Sequence, residues 1–332
     1  MVSLFILIYG MAAAAASSAP EEGTLTLFTH MLKNMIGFDY LEEYLSYKWL
    51  LLPLILLYAF YVIILFTSYV ASLLLHIWKK KNNLPEDIDK SWDLTRRGAA
   101  YFVDKVGRIL HGYEVIGMEN LPEGPGIIIY YHGAIVIDYP FLVARMYIEK
   151  GKAIHSVVHN YICHLPGIQL LLKMTGCKNF SRDECVKILK EGHSLGIAPG
   201  GLRELNFSDE FYNLLWGNHI GFAKVALEAK VPIIPIFTEN VREVCRTIGK
   251  IWLTKWLYNN VAPLVLPTYG GFPVKLRTHI GEPIPYDPNI TAKELAQKTK
   301  AAIENLRDKY QERPGNILRA LLARFEKCHK DN

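Results

Sequence analysis

The chain has 332 residues, of which 51% are hydrophobic and 21% charged, and its formal net charge is +5. That length suits one large domain or two small ones, the apolar content is high for a soluble enzyme, and the charge is too mild to mark a nucleic-acid-binding surface. Five cysteines, Cys163, Cys177, Cys185, Cys245 and Cys328, are odd in number and lack CxxC spacing. They read as free thiols of a reducing compartment, not as a disulfide framework or a zinc site.

Residues 1–48 form a leader and an amphipathic segment. The first nineteen are apolar and alanine-rich, but no Lys or Arg precedes them, so the positive start of a cleaved secretory signal is missing. From Trp49 to Trp78 the only readily charged group is His76, and a spanning helix needs about 20 apolar residues. Tryptophans at both ends, and Lys79, Lys80 and Lys81 after them against Glu42 and Glu43 before, predict a membrane anchor at 49–78 with the following domain in the cytosol. As one helix it would be about 45 Å long, beyond a hydrocarbon core of about 30 Å. It therefore tilts as a single transmembrane helix or folds back as a helical hairpin. Asn-x-Ser/Thr matches at Asn179, Asn206 and Asn289 then test that topology.

A polar linker at 79–99 leads into a domain at 100–332. Short β-rich runs at 113–117, 126–131, 154–158, 195–198, 231–238 and 274–280 alternate with helical segments, the clearest at 183–191, 219–230 and 292–310. The last opens with a capping box, Thr291 with Glu294. Such alternation predicts an α/β domain, a mostly parallel sheet covered by helices. Segment 251–267, apolar but interrupted by Lys255, Asn259 and Asn260, can lie against a membrane or form ordinary core.

His132 follows GIIIYY, a buried strand, and so stands where strand gives way to loop, the end of a parallel sheet at which sites are built. Asp138 lies six residues on, before Tyr139, Pro140 and a helical run. A His and a carboxylate across a short loop can form a general base and its orienter. Gly192-His193-Ser194-Leu195-Gly196 matches the GxSxG nucleophile elbow, which needs a strand before the Ser and a helix after it. Here VKILKEGH precedes and LGIA follows, the reverse order. His155, His159, His164 and His279 show no metal-ligand spacing and read as structural.

Four blocks in order over 104 residues carry a resemblance. HGAIVID resembles the His and Asp block of the glycerolipid (lysophospholipid) acyltransferase superfamily, with five residues between the pair where that family has four. Gly176 to Arg182 is similar to its second block, Pro199-Gly200-Gly201-Leu202-Arg203 to its third, and Val231-Pro232-Ile233-Ile234-Pro235 to its fourth. The resemblance implies that His132 and Asp138 are catalytic, and that Arg182, Gly200, Gly201, Arg203 and Glu204 meet substrate. It implies an acyl donor, acyl-coenzyme A or a membrane phospholipid, a glycerolipid acceptor, no metal or redox cofactor, and a place in the endoplasmic reticulum membrane. Gly200 stands where phosphate-handling members carry Glu, and Glu204 follows Arg203. That pattern resembles the diacylglycerol acyltransferase branch and favours mono- or diacylglycerol, with triacylglycerol as the product. Arg203 then either pairs with Glu204 or another local carboxylate, or meets a phosphate, as a lysophospholipid acceptor would require. Backbone donors at Gly200 and Gly201 are candidates for an oxyanion site. The altered His-to-Asp spacing leaves a second reading, a catalytically silent lipid-binding protein.

Overall fold

The computed structural model describes residues 92–325, apart from 152–153, 164–171, 173–174, 248–251 and 261–267, together with isolated helical positions between 59 and 81. Residues 1–48, and most of the anchor predicted at 49–78, lie outside the described residues. The described positions within that stretch include Ile63, Phe66, Leu74 and Ile77, all exposed. Among the described residues no helix is long and apolar enough to cross a membrane.

Helix α1, Trp92–His111, begins inside the stretch read as linker. After it come β1, Glu114–Ile116, β2, Ile127–Tyr130, α2, Asp138–Lys150, and β3, Ile154–Val157. A single turn, α3, Asn160–Cys163, precedes β4, Cys177–Lys178, α4, Arg182–Lys190, and β5, Ser194–Ile197. Next stand α5, Gly201–Phe207, α6, Gly221–Ala229, β6, Ile233–Glu239, and the turn α7, Val241–Val244. The chain ends with β7, Cys245–Thr247, α8, Trp252–Asn260, β8, Thr268–Gly270, β9, Arg277–Ile280, α9, Ala292–Tyr310, and α10, Ile317–Leu322.

All six predicted strands are present, with ends moved by three residues at most, and α9 spans the expected residues behind its Thr291–Glu294 capping box. Helix α4 starts the same way, Ser181 accepting from the Glu184 N–H while Glu184 reaches back to the Ser181 N–H.

Seven strands form one sheet in the order β1-β9-β6-β2-β5-β3-β4. From β6 to β4 every neighbouring pair is parallel, and only the β6–β9 junction is antiparallel. The fold is thus a mixed α/β sheet, mostly parallel, as expected. β2 is central and buried along its whole length because helices cover both faces. Ile127 and Ile129 enter one core cluster, with Leu189, Val225 and Ile303, while Ile128 and Tyr130 enter the other, with Leu142 and Met146 of α2. Successive strand side chains point to opposite faces, and each of these isoleucines contributes roughly 1.5–3 kcal/mol on burial.

Chain order makes β2 a switch point. The polypeptide builds β3, β4 and β5 on one side of β2, then crosses to lay β6 on the other. A crevice at the carboxyl ends of the strands is expected at such a reversal, and His132 leaves the sheet there.

Candidate active site

Register brings the site together. Ile129 pairs with Ile197 and Tyr130 with Ile236, so three residues beyond Ile129 His132 stands level with Gly200, and two beyond Tyr130 it stands level with Thr238. His132 is half-buried, and its Nδ1 lies 2.8 Å from the carbonyl oxygen of Gly133. Loss of solvent pushes its pKa down to about 4, against the backbone hydrogen bond to Gly133, which raises it, while Arg242 lowers it further. The ring is therefore neutral near pH 7. With Nδ1–H donating to Gly133, the basic lone pair belongs to Nε2, the tautomer a general base needs.

Asp138 is the first residue of α2 and is buried. An acidic group in the first helical turn interacts favourably with the helix dipole. Its carboxyl accepts from the Thr238 hydroxyl and from the backbone N–H groups of Asp138 and Tyr139, while burial raises its pKa to about 6. Thr238 Oγ1 is 2.9 Å from Thr278 Oγ1, which is 2.9 Å from the Tyr113 hydroxyl, so the carboxyl heads a buried polar chain. Among the described residues no hydrogen bond joins His132 to Asp138. The carbonyl of Gly133 occupies the place expected for the carboxylate.

The Gly-Gly loop also has a steric role. Glu204 is fully buried and turns back beneath the loop, its Oε2 accepting from the His132 N–H at 3.1 Å and its Oε1 from the Leu215 N–H at 3.0 Å. Desolvation raises its pKa to about 7. Gly200 has ordinary right-handed backbone angles, but a Cβ there would lie 2.0 Å from Glu204 Cδ. The missing side chain makes room for the carboxylate that holds the His132 backbone. Gly201 has φ +45, and its N–H bonds the Ala198 carbonyl at 3.1 Å, so it is not available to an oxyanion.

The expected Arg203–Glu204 pair is not formed. Neighbouring helical residues project in directions about 100° apart, and while Glu204 faces inward Arg203 is exposed, near Gly217 and Tyr258. Arg182 is also exposed, at the start of α4, 2.5 Å from Glu228 of α6. Between the end of β5 and the start of α6 lies a cleft of about 400 Å³, lined by Ala198, Pro199, Asn218, His219 and Phe222. His219 Nδ1 is 3.1 Å from the Pro199 carbonyl oxygen.

Ser194 opens β5 behind α4, in the order that excludes a nucleophile elbow. Because β5 is parallel to β2, Ser194 sits at the amino end of the sheet, away from His132. Among the remaining histidines, His155 and His193 meet edge to face at 5.2 Å, and His279 bonds Glu239 while stacking on Tyr310. Among the described residues no His, Cys, Asp and Glu cluster could hold a metal.

Two groups beside the site carry no sequence signal. Arg242, 1% exposed, donates from Nη1 to the carbonyls of Glu204, at 3.1 Å, and Leu205, at 3.4 Å, and from Nη2 to Thr247 at 3.2 Å. Glu243 accepts from the Tyr212 hydroxyl and from Arg246 Nη2 at 2.9 Å. Two adjacent charges in a short turn ordinarily face solvent. Only the packing of α7 under α5 reveals this pair as a strut.

A family profile described as Acyltransferase matches residues 112–239, the span holding His132, Asp138, Gly200 and Glu204. A Mus musculus protein called DGAT1/2-independent enzyme synthesizing storage lipids is 47% identical over 323 residues, covering 96% of this chain and 97% of its own. Its Homo sapiens namesake is 48% identical over 302 residues, covering 89% and 93%. A solved structure, the 1-acyl-sn-glycerophosphate (LPA) acyltransferase PlsC from Thermotoga maritima, is 17% identical with a TM-score of 0.49, covering 77% of this chain and 96% of its own.

Proposed function

The chain is an acyltransferase and belongs to the glycerolipid acyltransferase superfamily, and from that premise we propose that it moves a fatty acyl chain onto the hydroxyl of mono- or diacylglycerol, giving triacylglycerol. The observation that carries this reading is His132, a neutral imidazole held by its backbone to Glu204 and by Nδ1 to Gly133, at the carboxyl edge of the sheet. The relatives, named for storage-lipid synthesis, support the neutral product.

In the proposed reaction His132 Nε2 takes the proton of the acceptor hydroxyl. The resulting oxygen nucleophile attacks the acyl carbonyl, and the tetrahedral intermediate collapses by breaking the carbonyl–sulfur bond of a thioester, or the ester bond of a phospholipid donor. The imidazolium returns its proton to the leaving group. Asp138 takes over Nδ1–H when the ring is charged, because a carboxylate stabilises an imidazolium better than a carbonyl does. Hydrogen bonds of this kind commonly tighten only once substrate is bound. The Gly200 N–H, which has no acceptor among the described residues, is the candidate oxyanion donor.

An uncharged acceptor fits the electrostatics. Arg242, the cation that acts on His132, is engaged by two carbonyls and a threonine, and where a carboxylate would precede the loop's second glycine there is Gly200. The enzyme works from the endoplasmic reticulum membrane, anchored by 49–78 with the domain in the cytosol. Purified protein given labelled acyl-coenzyme A or labelled phospholipid, with diacylglycerol or lysophosphatidate as acceptor, tests the donor, the acceptor and the role of His132. Label in triacylglycerol that vanishes in His132→Ala supports the reading, and label only in phosphatidate would assign exposed Arg203 a phosphate and overturn the neutral acceptor.

A further inference from the structure

The polypeptide between β7 and β8 makes an excursion of twenty residues, 248–267, from the base of a two-stranded antiparallel ribbon whose last pair is Thr247 with Thr268. Its described part is α8. Trp252 and Trp256 lie one turn apart, 77% and 46% exposed, with Lys255 and Asn259 exposed on the same side. Two tryptophans on one outward helical face are unusual where water is the only neighbour, because each carries a large apolar ring and one polar N–H. The same combination is favoured at a bilayer interface, where the ring enters the headgroup region and the N–H stays hydrated.

Charge points the same way. Between Glu243 and Glu282 the sequence has no Asp or Glu, while Lys250 and Lys255 fall within the excursion. The outward face of α8, two tryptophans with Lys255, complements anionic headgroups, to which a nearby Lys adds electrostatic attraction.

The other side of α8 is fixed to the site. Tyr258 meets Phe207 of α5 edge to face at 4.8 Å, and the ribbon base is tied to the same helix by the Thr247 hydroxyl donating to the Asn206 carbonyl at 2.9 Å. Helix α5 is also the helix whose Glu204 holds the His132 backbone.

From these observations we infer that α8 is an interfacial membrane-docking element, seating Trp252 and Trp256 among lipid headgroups so that α5 and the His132 loop face the bilayer from which a lipid acceptor arrives. It rests on the lipid-acceptor reading above, and supplies what an anchor alone would leave open, the orientation of the domain on the membrane. Of segment 251–267, which by sequence suits either a membrane face or core, the described helix α8 thereby takes the first role.

The test uses the full chain reconstituted into vesicles of phosphatidylcholine and phosphatidylserine that carry a photoactivatable phospholipid with its probe beneath the headgroup. After illumination, adducts in the peptides containing Trp252 and Trp256 are the expected result. Absence of adducts there, in protein that floats with the vesicles, would overturn the proposal. In parallel, Trp252→Ala/Trp256→Ala should raise KM about tenfold for long-chain diacylglycerol presented in vesicles, leaving kcat and the rate on short-chain diacylglycerol dispersed in water unchanged. Equal losses on both substrates, or no change on either, would refute it. Should the chain acylate no diacylglycerol at all, the neutral-acceptor reading fails by itself, and the photolabelling still decides the docking surface.

Discussion

Gly200→Ala isolates the role of the glycine loop. Its backbone angles, φ −75 and ψ −27, suit alanine, so conformational strain is not the reason for glycine. The obstacle is space. An added Cβ would lie 2.0 Å from Glu204 Cδ, 2.3 Å from Cγ and 2.4 Å from Oε2, and Glu204 is fully buried. If the side chain leaves, the N–H groups of His132 and Leu215 lose their acceptor, and each buried donor left unsatisfied costs about 1–3 kcal/mol. Hence Gly200→Ala should lose roughly 2–6 kcal/mol of stability, or hold its fold by shifting α5 and misplacing His132. Unfolding of the detergent-solubilised protein and acyl transfer in vesicles measure the two outcomes. Combining it with Glu204→Ala separates this account from a generic disturbance, since removing the carboxylate removes the clash. The double variant should be scarcely worse than Glu204→Ala alone, because groups in contact couple strongly. Strictly additive losses, or a Gly200→Ala protein of unchanged stability and rate, would refute the argument.

For the dyad, His132→Ala should cost about 10²–10⁴-fold in kcat/KM, the range of general acid–base catalysis, and Asp138→Asn nearly as much. Their double variant should add little to His132→Ala, and additive losses would break up the proposed unit. Ser194→Ala, at the amino end of β5, should retain most transfer activity, and an inactive but folded variant would reopen hydrolase chemistry. His132 and His111 are both held near pKa 4 by burial against an ordinary value of 6.5, so the unfolded chain takes up these protons first. Stability should be intact above about pH 6.5 and fall towards pH 4, less steeply in His132→Asn, which melting temperatures across that range would show. Asn179 and Asn289 are exposed whereas Asn206 is fully buried, so glycan on either exposed site in cells would place the domain in the lumen and overturn the cytosolic topology.

The sheet was legible because its strands are short apolar runs between polar helices, and burial on both faces leaves little else for GIIIYY to be. The two residues of β4 and the three of β7 and β8 were not, since such lengths show no period. His132 and Asp138 could be named from their position after a strand, yet the hydrogen bond from Nδ1 to Gly133 depends on how one loop turns. Glu204 reads from the sequence as a partner of Arg203, whereas its hydrogen bonds go to the His132 and Leu215 backbone. A helix places residue i+4 above residue i, and the available clue was Gly200 one turn earlier, where a missing side chain leaves room for a carboxylate. Arg242 and Glu243 left no trace, because two adjacent charges ordinarily signal solvent.

Where β2 sits also bears on motion. Its amide groups bond strands on both sides and its side chains are enclosed on both faces, so its amides should be among the slowest to exchange with deuterium, opening only when the domain as a whole opens. His132 is carried two residues past that strand and is tied to α5 through Glu204, whereas α8 is short and meets α5 through the Tyr258–Phe207 contact. During turnover the base is then the stationary partner. Admission of a bulky lipid and departure of its product are left to the elements that can open locally at small free-energy cost, without disturbing the residue that takes the proton.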